Sequence, residues 1–381
     1  MTLGIALAAL TAWLVLLLGR GFFWQARDDD SDAASLPDPA RWPAVTAIVP
    51  ARDEAETIAA TVRSLTAQDY PGPLRIIVVD DRSSDGTGDL ARAAGDARLT
   101  VVTGRGKAPG WTGKLHALEQ GLAEAGRRPE AADYLLFTDA DIEHDPDSLR
   151  RLVQRAEAGR LDLVSLMARL RCESAAEKWL IPAFVFFFQM LYPFRWSNRP
   201  GTRTAAAAGG CVLLRRSAFE ARGGLAPIRS NIIDDCALAR LMKSGGGRIW
   251  IGLTERVRSL RAYDDIGTIR RMVARTAYAQ LLYNPLLLGG MVAALALVFL
   301  APPLLALFGA GWARDIGLFT WALMALAYAP MLRRFGLSPW RALALPGIAA
   351  AYMLFTLDSA IADWRGKGGL WKGEARPVSR E

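Results

Sequence analysis

The chain has 381 residues, 52% of them hydrophobic, with positive mean hydropathy and a formal charge of +8. A soluble enzyme of this size does not need so much apolar residue, so part of the chain is expected to face lipid. The charge does not indicate nucleic acid: the basic residues are mostly Arg scattered beside apolar runs, and no patch interleaves Lys and Arg with aromatics. Attraction to anionic lipid headgroups accounts for it. Cys172, Cys211 and Cys236 are too few and too scattered for a disulfide framework or a zinc site, and His116 and His144 lie near no cysteine pair. A reducing compartment fits.

In chain order, residues 3–23 form an apolar run with no charge before Arg20, and about 20 such residues cross a bilayer. A signal peptide carries its positive charge ahead of the run. Here Arg20 and Arg27 follow it, which favours an uncleaved anchor over residues 1–25 with its C-terminal side in the cytoplasm. Residues 26–43, rich in Asp, Ser and Pro, read as a solvated linker.

The pattern then changes. Short β-branched or aromatic runs at 45–49, 75–79, 99–102 and 134–138 alternate with helical stretches at 56–68, 86–94, 113–125 and 146–158. Such alternation predicts an α/β domain, placed at residues 44–280, with a mostly parallel sheet and helices on both faces. Residues 179–194, crowded with Phe, Met and Tyr and ending at Arg195, predict an interfacial or re-entrant helix, a buried core helix being the alternative. Apolar runs return at 285–308, 316–332 and 342–361, so residues 281–362 form a transmembrane region and 363–381 a basic tail. Pro302-Pro303 is expected to kink or split the first run. Three crossings after a cytoplasmic domain would put the tail outside, whereas Arg365, Lys367, Lys372, Arg376 and Arg380 favour the inside. Either one run fails to cross or the Pro302-Pro303 run forms a hairpin.

Each predicted strand runs into polar residues: Arg52-Asp53-Glu54, Asp80-Asp81-Arg82-Ser83-Ser84-Asp85-Gly86, Gly104-Arg105-Gly106-Lys107 and Asp139-Ala140-Asp141. The ligand crevice of an open α/β sheet lies at the carboxyl ends of its strands, so four such ends point to one rim. No glycine-rich phosphate loop of the P-loop kind is present. A diphosphate then needs another source of positive charge, and Asp139 and Asp141 can hold a divalent ion, Mg²⁺ or Mn²⁺, whose open positions take phosphate oxygens. The bland reading of an Asp-x-Asp is a turn or cap, but Asp145-Pro146 is the better cap for the next helix, which leaves both without a structural role. Asp80 and Asp81 can accept from a nucleobase imide and ribose hydroxyls, or can shape a turn.

Pro50-Ala-Arg52-Asp53-Glu54, Val79-Asp80-Asp81-Arg-Ser83-Ser-Asp85-Gly86-Thr87 and Thr138-Asp139-Ala-Asp141 resemble the donor-site motifs of glycosyltransferase family 2. The resemblance implies a GT-A fold, inversion at the anomeric carbon and a nucleotide-diphosphate sugar donor, such as a UDP-sugar. Gly110-Trp111-Thr112-Gly113-Lys114-Leu-His116-Ala-Leu118, Gly209-Gly210-Cys211-Val-Leu-Leu-Arg215-Arg216 and Asn231-Ile-Ile-Asp234-Asp235-Cys236-Ala-Leu238 resemble its hopene-associated branch. That implies a hopanoid lipid acceptor at the inner membrane, with glucosyl transfer to ceramide, diacylglycerol or carotenoid as the alternative. Carried over, Pro50, Arg52, Glu54, Asp80, Asp81, Lys114 and Asp139 line the donor site, Asp141 and Asp139 bind metal, and Asp235 with Asp234 supplies the base. Asp234-Asp235 can also be read as a helix N-cap. The family's Gln-x-x-Arg-Trp becomes Met272-Val-Ala-Arg275-Thr276; Arg275 is kept for the diphosphate, and the missing Trp speaks against processive synthesis. A transport or assembly subunit is the reading from another class; it would need ionisable residues inside the spans, and Asp358 is the clearest candidate.

Overall fold

The computed structural model describes residues 1–127 and 132–366. Lys367, Lys372, Arg376 and Arg380 of the basic tail lie outside the described residues. The chain divides into two compact units: Met1–Arg27, Cys172–Arg195 and the described residues from Ala262 on form one, and Asp28–Arg171 with Trp196–Arg261 forms the other.

The second unit holds the sheet. Its strands are β1 Val45–Ala51, β2 Leu74–Asp80, β3 Leu99–Thr103, β4 Tyr134–Thr138, β5 Ile142–His144, β6 Leu163–Arg169, β7 Cys211–Arg215 and β8 Ile249–Ser259, in the order β3-β2-β1-β4-β7-β6-β8-β5. The first four in sequence run parallel, as the crossover pattern requires. β7 is antiparallel to β4 and β6, and β5 to β8, while β6 and β8 are parallel. Side chains alternate across the sheet. Val45, Ala47, Val49, Ile76 and Val78 pack with the helices Ile58–Thr66 and Ser148–Gly159, whereas Ile48, Ile77 and Val79 face the helix Gly113–Ala125. This is the expected α/β sandwich. Pro50 sits inside β1 because the ladder to β4 stops at Ile48, so its missing N–H breaks no bond on that side.

Two expectations change. Residues 28–30 are not a free linker: Leu253 N–H donates to Asp28 O (2.9 Å), Asp30 N–H donates to Leu253 O (3.0 Å), and buried Asp30 accepts from Thr254 Oγ1 (2.8 Å). The acidic composition that suggested solvation serves the polar and basic residues of β8 instead. The helix expected at 146–158 begins at Ser148, and Asp145 does not cap it; its carboxylate is taken by Arg258 at 2.5 Å.

In the first unit, and among the described residues, four helices are long and apolar enough to cross a membrane: Thr2–Gly19, Pro285–Phe308, Gly311–Arg334 and Pro339–Trp364. The effect of Pro302-Pro303 is a change of helix type rather than a break. The α-helix Pro285–Leu295 passes through a π-helical turn, Ala296–Leu300, into Ala301–Phe308. The carbonyl of Val298 would pair with the N–H of residue 302, which proline lacks. The indole Nε1–H of fully buried Trp13 donates to that carbonyl at 2.8 Å. In lipid no water could replace it. Trp13→Phe keeps an aromatic ring for the edge-to-face contact with Phe299 and orphans the carbonyl, so it should cost about 1–3 kcal/mol. Thermal unfolding in detergent, with Trp13→Phe set beside an exposed control such as Leu18→Phe, checks this. Gly317 lets its helix approach the proline segment so closely that an added Cβ would stand 2.9 Å from Pro302 O.

The segment expected at 179–194 is the helix Ala175–Leu191, started four residues earlier by a capping box between Ser174 and Glu177. Phe186 is fully buried, its ring 5.3 Å from Phe23 and 5.2 Å from Tyr328, and Phe187 packs on Phe299 and Tyr352. Arg20, following the first helix, donates to the last carbonyls of this one, Met190 and Leu191. Asp358, the ionisable residue a transport reading relied on, is ion-paired with Arg270.

Candidate active site

The carboxyl ends of β1, β2 and β4 carry the expected polar clusters, and hydrogen bonds lock the first two together. Asp53, at φ 49°, accepts from Ser84 N–H (2.8 Å), Ser83 Oγ accepts from Asp53 N–H (3.0 Å), and Asp85 accepts from Ala55 N–H (2.9 Å). Asp and Asn tolerate such a left-handed backbone better than most residues. Asp80 accepts from Ser83 N–H at 2.9 Å, which is the turn-forming reading. Asp81 is buried and lies 3.5 Å from Arg52.

At the end of β4, Thr138 Oγ1 donates to Gly210 O (2.8 Å) and lies 2.9 Å from His144 Nε2. The hydroxyl's single proton is committed to Gly210, so His144 Nε2–H is the donor in the second contact. Burial holds His144 neutral, pushing it down to about 4. This pair fixes both ends of the Asp139–Asp141 turn.

The centre of the site is Lys114, the second residue of the helix Gly113–Ala125. Thr112 Oγ1 caps that helix by accepting from Leu115 N–H. A cation is disfavoured at a helix N-terminus, so Lys114 needs compensation from elsewhere. It lies 2.7 Å from Asp139 and 3.3 Å from Asp234. Burial opposes its charge, but Asp139 and Asp234 outweigh that and hold it protonated, above its ordinary range. Asp234 and Asp235 open the helix Asp234–Ser244 from within its first turn, while Ile233 occupies the N-cap position. Asp235 accepts from Gly209 N–H (3.0 Å) and Cys236 N–H (2.7 Å). Burial, with the neighbouring charge of Asp234, pushes Asp235 up to about 6 against the opposing pull of Lys114 and the two N–H groups. Pro50, Lys114, Asp139, Gly209, Asp234 and Asp235 line one pocket.

Asp141, expected to lack a structural partner, has one. Arg261 Nε donates to Asp141 Oδ2 and Arg261 Nη2 to Glu54 Oε1, each at 2.6 Å. Asp139 is likewise taken by Lys114, so the argument by elimination for these two aspartates does not hold. Among the described residues no group of three or more His, Cys, Asp or Glu is placed to hold a metal. Arg275 lies in the other unit, ending the helix Ile266–Ala274. Sequence reasoning missed Arg261 and Gly209. Arg261 follows a strand, β8, that the chain-order reading passed over. Gly209 matters through its N–H and its missing side chain, since a Cβ there would stand 3.1 Å from Lys114 Nζ.

Residues 46–223 match the family model described as Glycosyl transferase family 2. This segment belongs to glycosyl transferase family 2. The chain is 33% identical over 157 residues to the succinoglycan biosynthesis protein ExoO of Rhizobium meliloti (strain 1021), covering 38% of this chain and 42% of that protein. It is 36% identical over 100 residues to the 4,4'-diaponeurosporenoate glycosyltransferase of Staphylococcus aureus (strain USA300), covering 26% and 24%. The chain spans less than half the length of these curated relatives. A mannosyltransferase from Pyrobaculum calidifontis, solved in complex with GDP-Man and Mn²⁺, superposes with a TM-score of 0.59 over 95% of this chain and 99% of that one. At 22% identity this likeness establishes the fold, a mixed α/β GT-A arrangement with apolar helices.

Proposed function

We propose that the chain is a membrane-bound inverting glycosyltransferase that moves a hexosyl group from a nucleotide-diphosphate donor to a lipid alcohol. The observation that carries this reading is Lys114 held between Asp139 on the donor side and the Asp234-Asp235 pair. Positive charge and carboxylates sharing one pocket at the strand ends support a leaving-group contact and a base side by side. Asp235 takes the proton from the acceptor hydroxyl as that oxygen attacks the anomeric carbon. The bond from that carbon to the diphosphate breaks on the opposite face, its electron pair leaves on the phosphate oxygen, and configuration inverts. Lys114 offsets the developing charge of the leaving group, and Arg52, Glu54, Asp80 and Asp81 surround the nucleotide.

Asp139 and Asp141 suit a divalent ion. They are hard oxygen donors, and both already attract protein cations. Two carboxylates leave open the positions that Mg²⁺ or Mn²⁺ ordinarily gives to water and phosphate. Such an ion would supply Lewis-acid stabilisation of the departing diphosphate. Four apolar helices in the same chain favour an acceptor that resides in the bilayer, at its cytoplasmic face given the arginines after the first helix. The motif resemblance points to a hopanoid alcohol.

Purified full-length protein should glycosylate a long-chain or polycyclic alcohol in micelles at least ten times faster than a water-soluble alcohol. Asp141→Ala should abolish transfer without lowering the melting temperature by more than a few degrees. Equal rates on both acceptors would overturn the lipid assignment, and an active Asp141→Ala enzyme the metal assignment.

A further inference from the structure

The position of Arg261 is set by backbone pairing rather than by chance of side-chain rotamer. β8 runs antiparallel to β5 with Ser259 opposite Ile142, and Leu260 N–H donates to Asp141 O at 2.7 Å. The next residue, Arg261, therefore emerges beside the Asp139–Asp141 turn. Its guanidinium bridges Asp141, just past β4, and Glu54, just past β1, with two contacts of 2.6 Å. Both acids are only 13% exposed, while Arg261 is 36% exposed. A planar guanidinium serves two separated carboxylates at once through nitrogens held apart in a rigid fork. Without it, two poorly solvated carboxylates would lose the cation they share, a costly change.

A divalent ion at Asp141 competes with this bridge. One of the two carboxylate oxygens, Oδ2, already accepts from Arg261 Nε, and the ion's charge would repel the guanidinium at close range in a partly buried site. The guanidinium sits on a flexible, partly exposed stem, and it is the fork that matches phosphate oxygens in two-point contact. Departure from the carboxylates is thus compensated only when a diphosphate arrives with the metal.

We infer that Arg261 is a built-in counter-ion that fills the cation position between Glu54 and Asp141 in the donor-free enzyme and yields it when metal and nucleoside diphosphate enter together, moving to the phosphates. This rests on the metal reading proposed above and adds to it that Mn²⁺ alone binds weakly and that diphosphate and Mn²⁺ strengthen each other reciprocally.

The test is Mn²⁺ binding to the full chain in detergent, followed by the EPR signal of free Mn²⁺, with and without UDP and, separately, GDP. For the unaltered protein, at least one nucleotide should tighten Mn²⁺ binding ten-fold or more. Arg261→Gln should bind Mn²⁺ alone at least five-fold more tightly than the unaltered protein, and the gain from nucleotide should shrink to three-fold or less. Arg261→Lys, which keeps the charge but loses the fork that spans the two acids, should fall between and controls for a folding defect in the glutamine variant. Asp141→Asn should lose the nucleotide-dependent binding. If the unaltered protein shows nucleotide-dependent Mn²⁺ binding and Arg261→Gln leaves the affinity for Mn²⁺ alone unchanged, the counter-ion role is wrong and the metal reading stands. If no protein binds Mn²⁺ under any condition, both fail.

Discussion

Asp235→Asn is expected to lower turnover by roughly 10²–10⁴-fold while leaving donor affinity within about three-fold, because it removes only the ability to accept a proton. The substitution keeps the shape, and its one oxygen can still accept from either Gly209 or Cys236 N–H. Asp234→Asn should be the milder change, since Asp234 touches Lys114 at 3.3 Å, whereas two backbone N–H groups fix the Asp235 carboxylate. The pH profile separates the two roles. A base pushed up to about 6 is ionised above that pH, so kcat/KM should rise as pH increases through about 6 and level off near 7. The two acids interact, so that limb belongs to the pair. The charge on Asp234 is one cause of the upward shift, so Asp234→Asn should move the limb to lower pH. If Asp234→Asn is the crippled enzyme and Asp235→Asn remains active, the base is the other member of the pair. Rates at saturating donor between pH 5 and 8, with donor affinity from calorimetry, decide it.

Lys114→Met should be nearly as damaging, and for a different reason. Removing the ammonium leaves Asp139, Asp234 and Asp235 as neighbouring carboxylates with no common counter-ion. Breaking a buried pair by deleting one partner costs about 3–5 kcal/mol; at 22% exposure Lys114 should fall at or below the lower end. Donor affinity and turnover should both drop, by roughly 10²-fold or more in kcat/KM, as charge stabilisation of the leaving group is lost. Lys114 also opposes the rise at Asp235, so its loss should shift the acidic limb above pH 6. Lys114→Arg should not rescue, because the floor beside the ammonium is Gly209, where even a Cβ would sit 3.1 Å from Nζ. A lysine variant with an unshifted limb and normal donor affinity would mean that Lys114 only braces the helix.

Much of the site was legible in the sequence because parallel strands betray themselves locally. β1, β2, β3 and β4 are runs of Val, Ile, Leu and Tyr with helical periodicity between them, and the polar residues after each strand must gather at one rim. Asp139 was named from its strand end, Lys114 and Asp235 from the family resemblance, and the structure brings the three to one pocket. The apolar helices were equally plain, since length and hydropathy are properties of the chain itself.

Contacts between distant segments were not legible. Arg261 lies 207 residues from Glu54 and 120 from Asp141, and no local pattern distinguishes it from the many other arginines. β8 interleaves charged residues among its apolar ones, so it lacked the unbroken run that marks the parallel strands, and residues 28–30 looked like linker because their partner strand was not yet recognised. Trp13 and Val298 are 285 residues apart, and only the folded chain shows that an indole answers a carbonyl orphaned by Pro302. The sequence by itself determined the first parallel strands, the helices between them and the long apolar runs, because propensity and hydropathy act over a few residues. Tertiary structure alone decided which cation meets which carboxylate, because charge pairing depends on distance in space and the register of β8 sets that distance.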